Sequence, residues 1–376
     1  VSPRFLGPQI QSTRSNRGML LIAETIRSLA GKVIAGQAVN RSLAEWLVEE
    51  VGPDSLPDLL AGATRIREQF FGKKVSCCSI VAGKVGLCSE DCAFCSQSGH
   101  YATHVAGGKQ LTDAEILRAA EEAAAGGASS FGIVNSGLGP SDAEIEACGR
   151  VIGQLRARGG LGACASLGVV TESQARRLAA LGVQRYNHNL QTSRRFFPYI
   201  TATHRYDERL QALRNLKAAG IELCCGALFG MGETWSDRLD LAFELRALEP
   251  VVVPLNFLIP IAGTPLAGQR PLEPLECLKI IAIYRFILPT QDLKVAGGRE
   301  VNIRDLQSWI FAAGATSFLI GNYLTTCGRP AEADRKMVCD LGLALVGCED
   351  LPKPPGAASE EDHGAALSSP AGSNAT

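Results

Sequence analysis

The sequence predicts an α/β protein: a (β/α)8 barrel of the TIM type with an N-terminal helical extension and a disordered C-terminal tail. Between Val75 and Ile320, eight short apolar runs alternate with stretches whose apolar residues recur at three- and four-residue spacing. Several of those helical stretches stop at a glycine (Gly126, Gly182, Gly220, Gly314) just before the next run, the usual helix end ahead of an αβ loop. A doubly wound open sheet is the alternative topology, and in both arrangements chemistry belongs at the C-terminal ends of the strands.

Residues 1–18, "VSPRFLGPQIQSTRSNRG", carry three arginines and no acid. They lack the continuous apolar centre of a secretory signal, so they are expected to be a disordered or non-native extension, with a transit peptide as the alternative. Residues 19–74 hold three amphipathic stretches, "LLIAETIRSLAGKVI", "SLAEWLVEE" and "SLPDLLAGATRIREQFF", a helical segment expected to pack on the barrel. Residues 75–350 form the barrel. Its strands are expected within "VSCCSIVAG", "ASSFGIVNSG", "GLGACASLGVV", "VQRYNHNL", "IELCCGALFG", "VVVPLNFLI", "DLKVAGG" and "ATSFLIGN". From Leu351 to 376 the chain is rich in Pro, Gly, Ala and Ser with little to pack, and disorder is expected.

Lys plus Arg (37) nearly equals Asp plus Glu (38), so no basic field gathers nucleic acid and a small-molecule partner is expected. The longest apolar stretch, from Val251, is broken by prolines and falls short of the roughly 20 residues that cross a bilayer, so no membrane is expected. Thirteen cysteines in a chain able to bury a core without staples argue for a reducing, cytoplasmic compartment and for metal ligation or catalysis.

Three of these cysteines, Cys88, Cys92 and Cys95, crowd into "LCSEDCAFCSQSGHY" (Leu87 to Tyr101). Thiolates suit iron–sulfur clusters, and three ligands leave one iron open to bind something further. A zinc site completed by His100 or His104 is the bland alternative; the usual zinc module shows paired Cys-x2–4-Cys units, and only one occurs here.

This loop resembles that of the radical S-adenosylmethionine (SAM) enzymes and, within them, of the biotin synthase family, with Ser89 in place of the usual proline. The likeness runs from about Leu21 to Leu343 and is carried further by "YNHNLQTS" (Tyr186 to Ser193), "YDERL" (Tyr206 to Leu210), "FGMGET" (Phe229 to Thr234), "LNFLIPIAGTPL" (Leu255 to Leu266), "GGRE" (Gly297 to Glu300) and "GNYLTT" (Gly321 to Thr326). It implies that Cys88, Cys92 and Cys95 bind a [4Fe–4S] cluster whose open iron is chelated by the amino and carboxylate groups of SAM, the source of a 5′-deoxyadenosyl radical. It also implies that Phe94 faces the adenine, Arg209 the SAM carboxylate and Gln191 the ribose hydroxyls. Asn189 and Asn256 are implied to bond the ureido ring of dethiobiotin, and Thr325 and Thr326 to lie near its carboxylate tail. The glycines of "FGMGET" are expected either to let backbone approach a cofactor or to make a tight βα turn.

The resemblance further implies an auxiliary cluster, [2Fe–2S] or a variant, that donates the inserted sulfur. Cys164, Cys224 and Arg299 match three of its ligands, whereas the place of the fourth falls at Gly132, which offers none. Consecutive strand residues face opposite ways, so only one of Cys77 and Cys78 can enter the lumen. Cys78 is favoured as the substitute, with Arg299 or another group completing the set. The implied reaction converts dethiobiotin to biotin; the implied partners are a flavodoxin or ferredoxin reductant and a second copy in a homodimer. The alternatives are another radical SAM barrel enzyme, which matures a metallocofactor or rearranges an amino acid, and a non-catalytic iron–sulfur carrier.

Overall fold

The computed structural model describes residues 16–105, 107–347 and 350–354. Three helices lead in: α1 (Asn16–Ile34), α2 (Arg41–Glu50) and α3 (Leu56–Phe71). Helix α1 starts three residues ahead of Met19, so 16–18 join the folded body; 1–15 lie outside the described residues. Helices α1 and α3 put Ile26, Leu29, Leu59, Ala63 and Ile66 into the main core, against the closing helices of the barrel.

Eight parallel strands follow: β1 (Lys74–Val85), β2 (Ser130–Asn135), β3 (Gly162–Ser166), β4 (Arg185–Asn187), β5 (Glu222–Cys224, resuming at Ala227–Phe229), β6 (Val252–Phe257), β7 (Asp292–Val295) and β8 (Ser317–Leu319). Each pairs with its neighbour, and β8 returns to β1 through Ser76↔Ser317, Cys77↔Phe318 and Cys78↔Leu319, which closes the barrel and rules out the open sheet.

Helices α4 (Asp113–Ala125), α5 (Asp142–Arg158), α6 (Glu172–Ala180), α7 (Tyr206–Ala218), α8 (Trp235–Leu248) and α9 (Pro274–Ile287) connect β1 through β7, with one or two further turns after them. Their starts are written in the sequence: Thr112 with Glu115, Ser141 with Glu144 and Thr234 with Asp237 each exchange side-chain and backbone hydrogen bonds in a capping box. Short helices α10 (Arg299–Asn302) and α11 (Trp309–Ala312) lie between β7 and β8, and α12 (Ala331–Asp340) follows β8.

The "FGMGET" segment is a tight turn. Gly230 and Gly232 take φ of 94° and 105°, and the Glu233 carboxylate accepts from the Gly230 and Met231 N–H groups while pairing with Arg238 at 2.8 Å. Past α12 the chain packs further than its composition suggests: Leu351 and Pro354 are buried, and Lys353 reaches Glu222 at 2.6 Å at the N-terminal end of the barrel. Residues 355–376 of the expected tail lie outside the described residues. Among the described residues no helix is long and apolar enough to cross a membrane.

Candidate functional site

Side-chain alternation along the strands sorts the cysteines. On β1, Cys77 points out into the core beneath the helices, its sulfur 2.8 Å from the Gly127 carbonyl oxygen, whereas Cys78 points into the lumen. On β5, Cys224 faces the lumen, while Cys225 joins the core outside the sheet.

Cys78, Cys164 and Cys224 line one lumen cavity of about 170 Å³ together with Lys294. These four side chains come from β1, β3, β5 and β7. A (β/α)8 barrel fills its interior in layers of four side chains drawn from alternate strands, so three thiols and one ammonium form a single layer. Gly132, on β2, lines the same cavity from the set of even strands. A Cβ at Gly132 would meet the Cys164 sulfur and the Ile80 side chain at 3.2 Å each. Cys78 thus brings a thiol into the lumen from an odd strand, where β2 has only Gly132.

Lys294 is the residue that sequence reasoning missed. It is buried and makes no side-chain hydrogen bond to the described residues, so its ammonium is directed at the cavity. Burial alone lowers its pKa, but the facing Cys78 and Cys224 thiols, with Asp292 and Cys164, more than offset this and hold it above the ordinary lysine value. Burial in turn pushes the Cys224 thiol up, against Lys294 and an Asn187 amide 3.3 Å from its sulfur. A lone lysine inside the apolar run "DLKVAGG" was the available signal.

Arg299 lies elsewhere, a correction to the expected ligand set. Gly298 turns the chain out of the lumen at φ 86°, with its Cα so close to β6 that a Cβ would sit 1.8 Å from the Phe257 carbonyl oxygen. The turn opens α10, whose first residue, Arg299, is fully buried and forks onto Asp334 of α12, with Gln307 at 2.7 Å. "GGRE" thus fastens the C-terminal helix to the barrel.

The Cys88–Cys95 loop crosses the C-terminal end of the barrel. Backbone N–H groups of Gln97 and Ser98 reach the Cys95 sulfur, and burial pushes the Cys92 thiol up to about 12 despite the nearby Arg209. The three thiols are free, and each lies within electrostatic range of another. Among the described residues no three His, Cys, Asp or Glu side chains stand close enough to share one metal ion. Three free thiols on one loop form a donor set that suits an iron–sulfur cluster, whose several irons need a wider ring of sulfurs than one ion does.

Beside this loop is a second cavity, about 150 Å³, lined among others by Glu90, Asn189, Gln191, His204 and Arg209. It shares Ser166, Asn187 and Asn189 with the lumen cavity, so these three side chains form the wall between them. Gln191 takes a left-handed φ of 71°, uncommon for a side-chain-bearing residue, and is held there by Gly226 and Leu228 of β5. Asn189 accepts from the Gly226 N–H at 3.0 Å, and Asn256, in the lumen cavity, bonds the Ala227 carbonyl and the Gly297 N–H.

Three expected site residues stand outside both cavities. Phe94 packs half-buried against the core and lines neither cavity. Thr325 hydrogen-bonds Ser96 at 3.0 Å and so ties the loop after β8 to the cysteine loop; Thr326 accepts from the Tyr323 N–H. Neither threonine lines the lumen cavity, where Leu324 stands instead.

The Radical SAM superfamily model matches residues 85–245, and the Biotin and Thiamin Synthesis associated domain matches 254–344. A biotin synthase of Heliobacterium modesticaldum is 49% identical over 318 residues, covering 85% of this chain and 97% of that protein. One of Geobacter metallireducens is 45% identical over 326 residues, covering 86% and 99%. Among solved structures, methylornithine synthase superposes with a TM-score of 0.74 at 21% identity, covering 85% of this chain and 97% of that one. The FeFe-hydrogenase maturase HydG from Carboxydothermus hydrogenoformans gives 0.74 at 17% identity, covering 88% and 83%. At such identities these two structures share the fold alone. With sequence relatives at nearly half identity along almost their whole length, the chain belongs to the biotin synthase family, radical SAM enzymes that use a [4Fe–4S] cluster and SAM to insert sulfur.

Proposed function

We propose that the two cysteine sets divide the reaction between them: Cys88, Cys92 and Cys95 hold the [4Fe–4S] cluster, and Cys78, Cys164 and Cys224, with Lys294 completing their layer, hold the auxiliary cluster. The observation that carries this is the common wall of Ser166, Asn187 and Asn189 between the two cavities. When bound, the first cluster and SAM supply radical chemistry and the second supplies sulfur.

The protein's own part is binding, orientation and the exclusion of water. Arg209, a cation beside Cys92, is placed to pair with the SAM carboxylate, and Gln191 to bond the ribose hydroxyls. Asn189 and Asn256 present amide donors and acceptors to the ureido ring of dethiobiotin, a neutral group that needs both. Ile80, Val134 and Leu319 give the lumen apolar walls that hold water out. The Lys294 ammonium offsets the negative charge of three thiolates, which burial without a partner would make costly. A homodimer, a cytoplasmic location and a flavodoxin or ferredoxin reductant rest on the family resemblance.

The test is anaerobic reconstitution with iron and sulfide, then incubation with SAM, a reductant and dethiobiotin. Biotin and 5′-deoxyadenosine both appear if the reading is right. If 5′-deoxyadenosine forms only with some other substrate, the reading of the lumen is overturned.

A further inference from the structure

His204 is buried, its ring edge-on to Phe197 at a centroid distance of 5.6 Å, and both of its nitrogens are engaged. Nδ1 lies 2.6 Å from the Glu90 carboxylate, and Nε2 lies 3.1 Å from Nε of Arg209. A guanidinium can only donate, so Nε2 must accept, and the ring carries its one proton on Nδ1, where it is donated to Glu90. Glu90 sits between Cys88 and Cys92 and is fixed further by Ser89 at 2.8 Å and Thr203 at 2.7 Å. Arg209 passes the chain of contacts on: its Nη1 donates to the Asn189 carbonyl at 2.8 Å, and the Cys92 thiol lies beside it. Glu90, His204, Arg209 and Asn189 all line the one cavity.

We propose that His204 is a positioning residue of the SAM site, a neutral imidazole that ties the cysteine loop through Glu90 to Arg209 and so sets the guanidinium against the SAM carboxylate. The inference rests on the assignment of Arg209 to that carboxylate. Without the imidazole acceptor, the Nε edge of Arg209 loses its fixed partner, and the guanidinium is left with Asn189 on Nη1, the neighbouring Cys92 sulfur and the Phe197 face, none of which sets its orientation from the Glu90 side. Leucine and the two amides separate the ends of the contact: asparagine places its amide nitrogen near the former Nδ1 and keeps the Glu90 bond, while glutamine places its oxygen near the former Nε2 and keeps the Arg209 bond.

The experiment measures SAM binding by anaerobic equilibrium dialysis on cluster-loaded His204→Leu, His204→Asn and His204→Gln, each with its iron content, in the parent and in an Arg209→Gln background. The expected result is a roughly tenfold weaker SAM affinity for Leu and Asn, the size of one lost hydrogen bond to a charged group. Gln stays within about threefold of the parent, iron is unchanged, and no His204 change weakens binding further once Arg209 is Gln. The inference is overturned if Asn binds like the parent while Gln and Leu lose iron, since His204 then only anchors the loop. It is overturned equally if the His204 losses persist in the Arg209→Gln background. Arg209→Gln alone leaving SAM affinity intact sinks the Arg209 assignment instead.

Discussion

The molecule holds two sets of three cysteines, built in opposite ways. Cys88, Cys92 and Cys95 lie within eight residues on a loop, shaped by local contacts such as the Cys95 N–H to the Cys92 carbonyl and the Gly99 N–H to the Cys88 carbonyl. Cys78, Cys164 and Cys224 sit on three separate strands, and only closure of the barrel puts them in one layer with Lys294. A local loop keeps its ligand spacing wherever the fold drifts, while a layer depends on register, because a one-residue slip would turn each thiol to the other face. The loop is suited to a cofactor that exchanges SAM at the rim, and the layer to a buried group shut off from water.

The largest expected effects set the two against each other. Cys92→Ala abolishes 5′-deoxyadenosine formation, whereas Cys164→Ala retains it and lowers biotin by at least ~100-fold, both read by mass spectrometry. Cys164→Ala losing radical cleavage as well would mean that the two sets are not separable.

The two buried cations differ likewise. Arg299→Leu leaves buried Asp334 with only the longer contact to Arg329 at 3.7 Å, so unfolding stability drops by about 3 kcal/mol in a urea titration while iron per folded molecule stays at the parent value. Lys294→Met does the reverse: stability holds, and retention of auxiliary iron under chelator challenge weakens roughly 10- to 100-fold. Iron loss on Arg299→Leu, with none on Lys294→Met, would restore Arg299 to the lumen set.

The smallest effect is at Gly132. Its Cβ direction runs into Cys164 and Ile80 at 3.2 Å, so Gly132→Ala overpacks the lumen and costs about 1 kcal/mol, a fall of a few degrees in Tm. A rise in Tm would show that β2 stands further from the thiols.

The same contrast explains what the sequence made legible. The loop triad could be read because its spacing is local, and the barrel because each strand and helix carries its own pattern, down to the Thr112 and Ser141 caps. That one of Cys77 and Cys78 enters the lumen followed from strand alternation, a rule that needs no partner; which one it is depends on the register that barrel closure sets. Lys294 did not follow: its meaning comes from β1, β3 and β5, the last of them some seventy residues upstream. Arg299 misled because a motif fixes a residue's place in the chain but not its direction, and the Gly298 turn sends it to Asp334. The packing of Leu351 and Pro354 escaped because a Pro-rich composition hides contacts such as that of Lys353 with Glu222.

The most direct test of the lumen layer removes the loop set altogether. In a Cys88→Ala, Cys92→Ala, Cys95→Ala variant, anaerobic reconstitution should still load iron and sulfide into the lumen, with charge-transfer absorption to match, and adding Cys78→Ala should strip that iron away. Iron content and absorption that stay the same after Cys78→Ala would contradict the assignment of Cys78, Cys164 and Cys224 to one cluster.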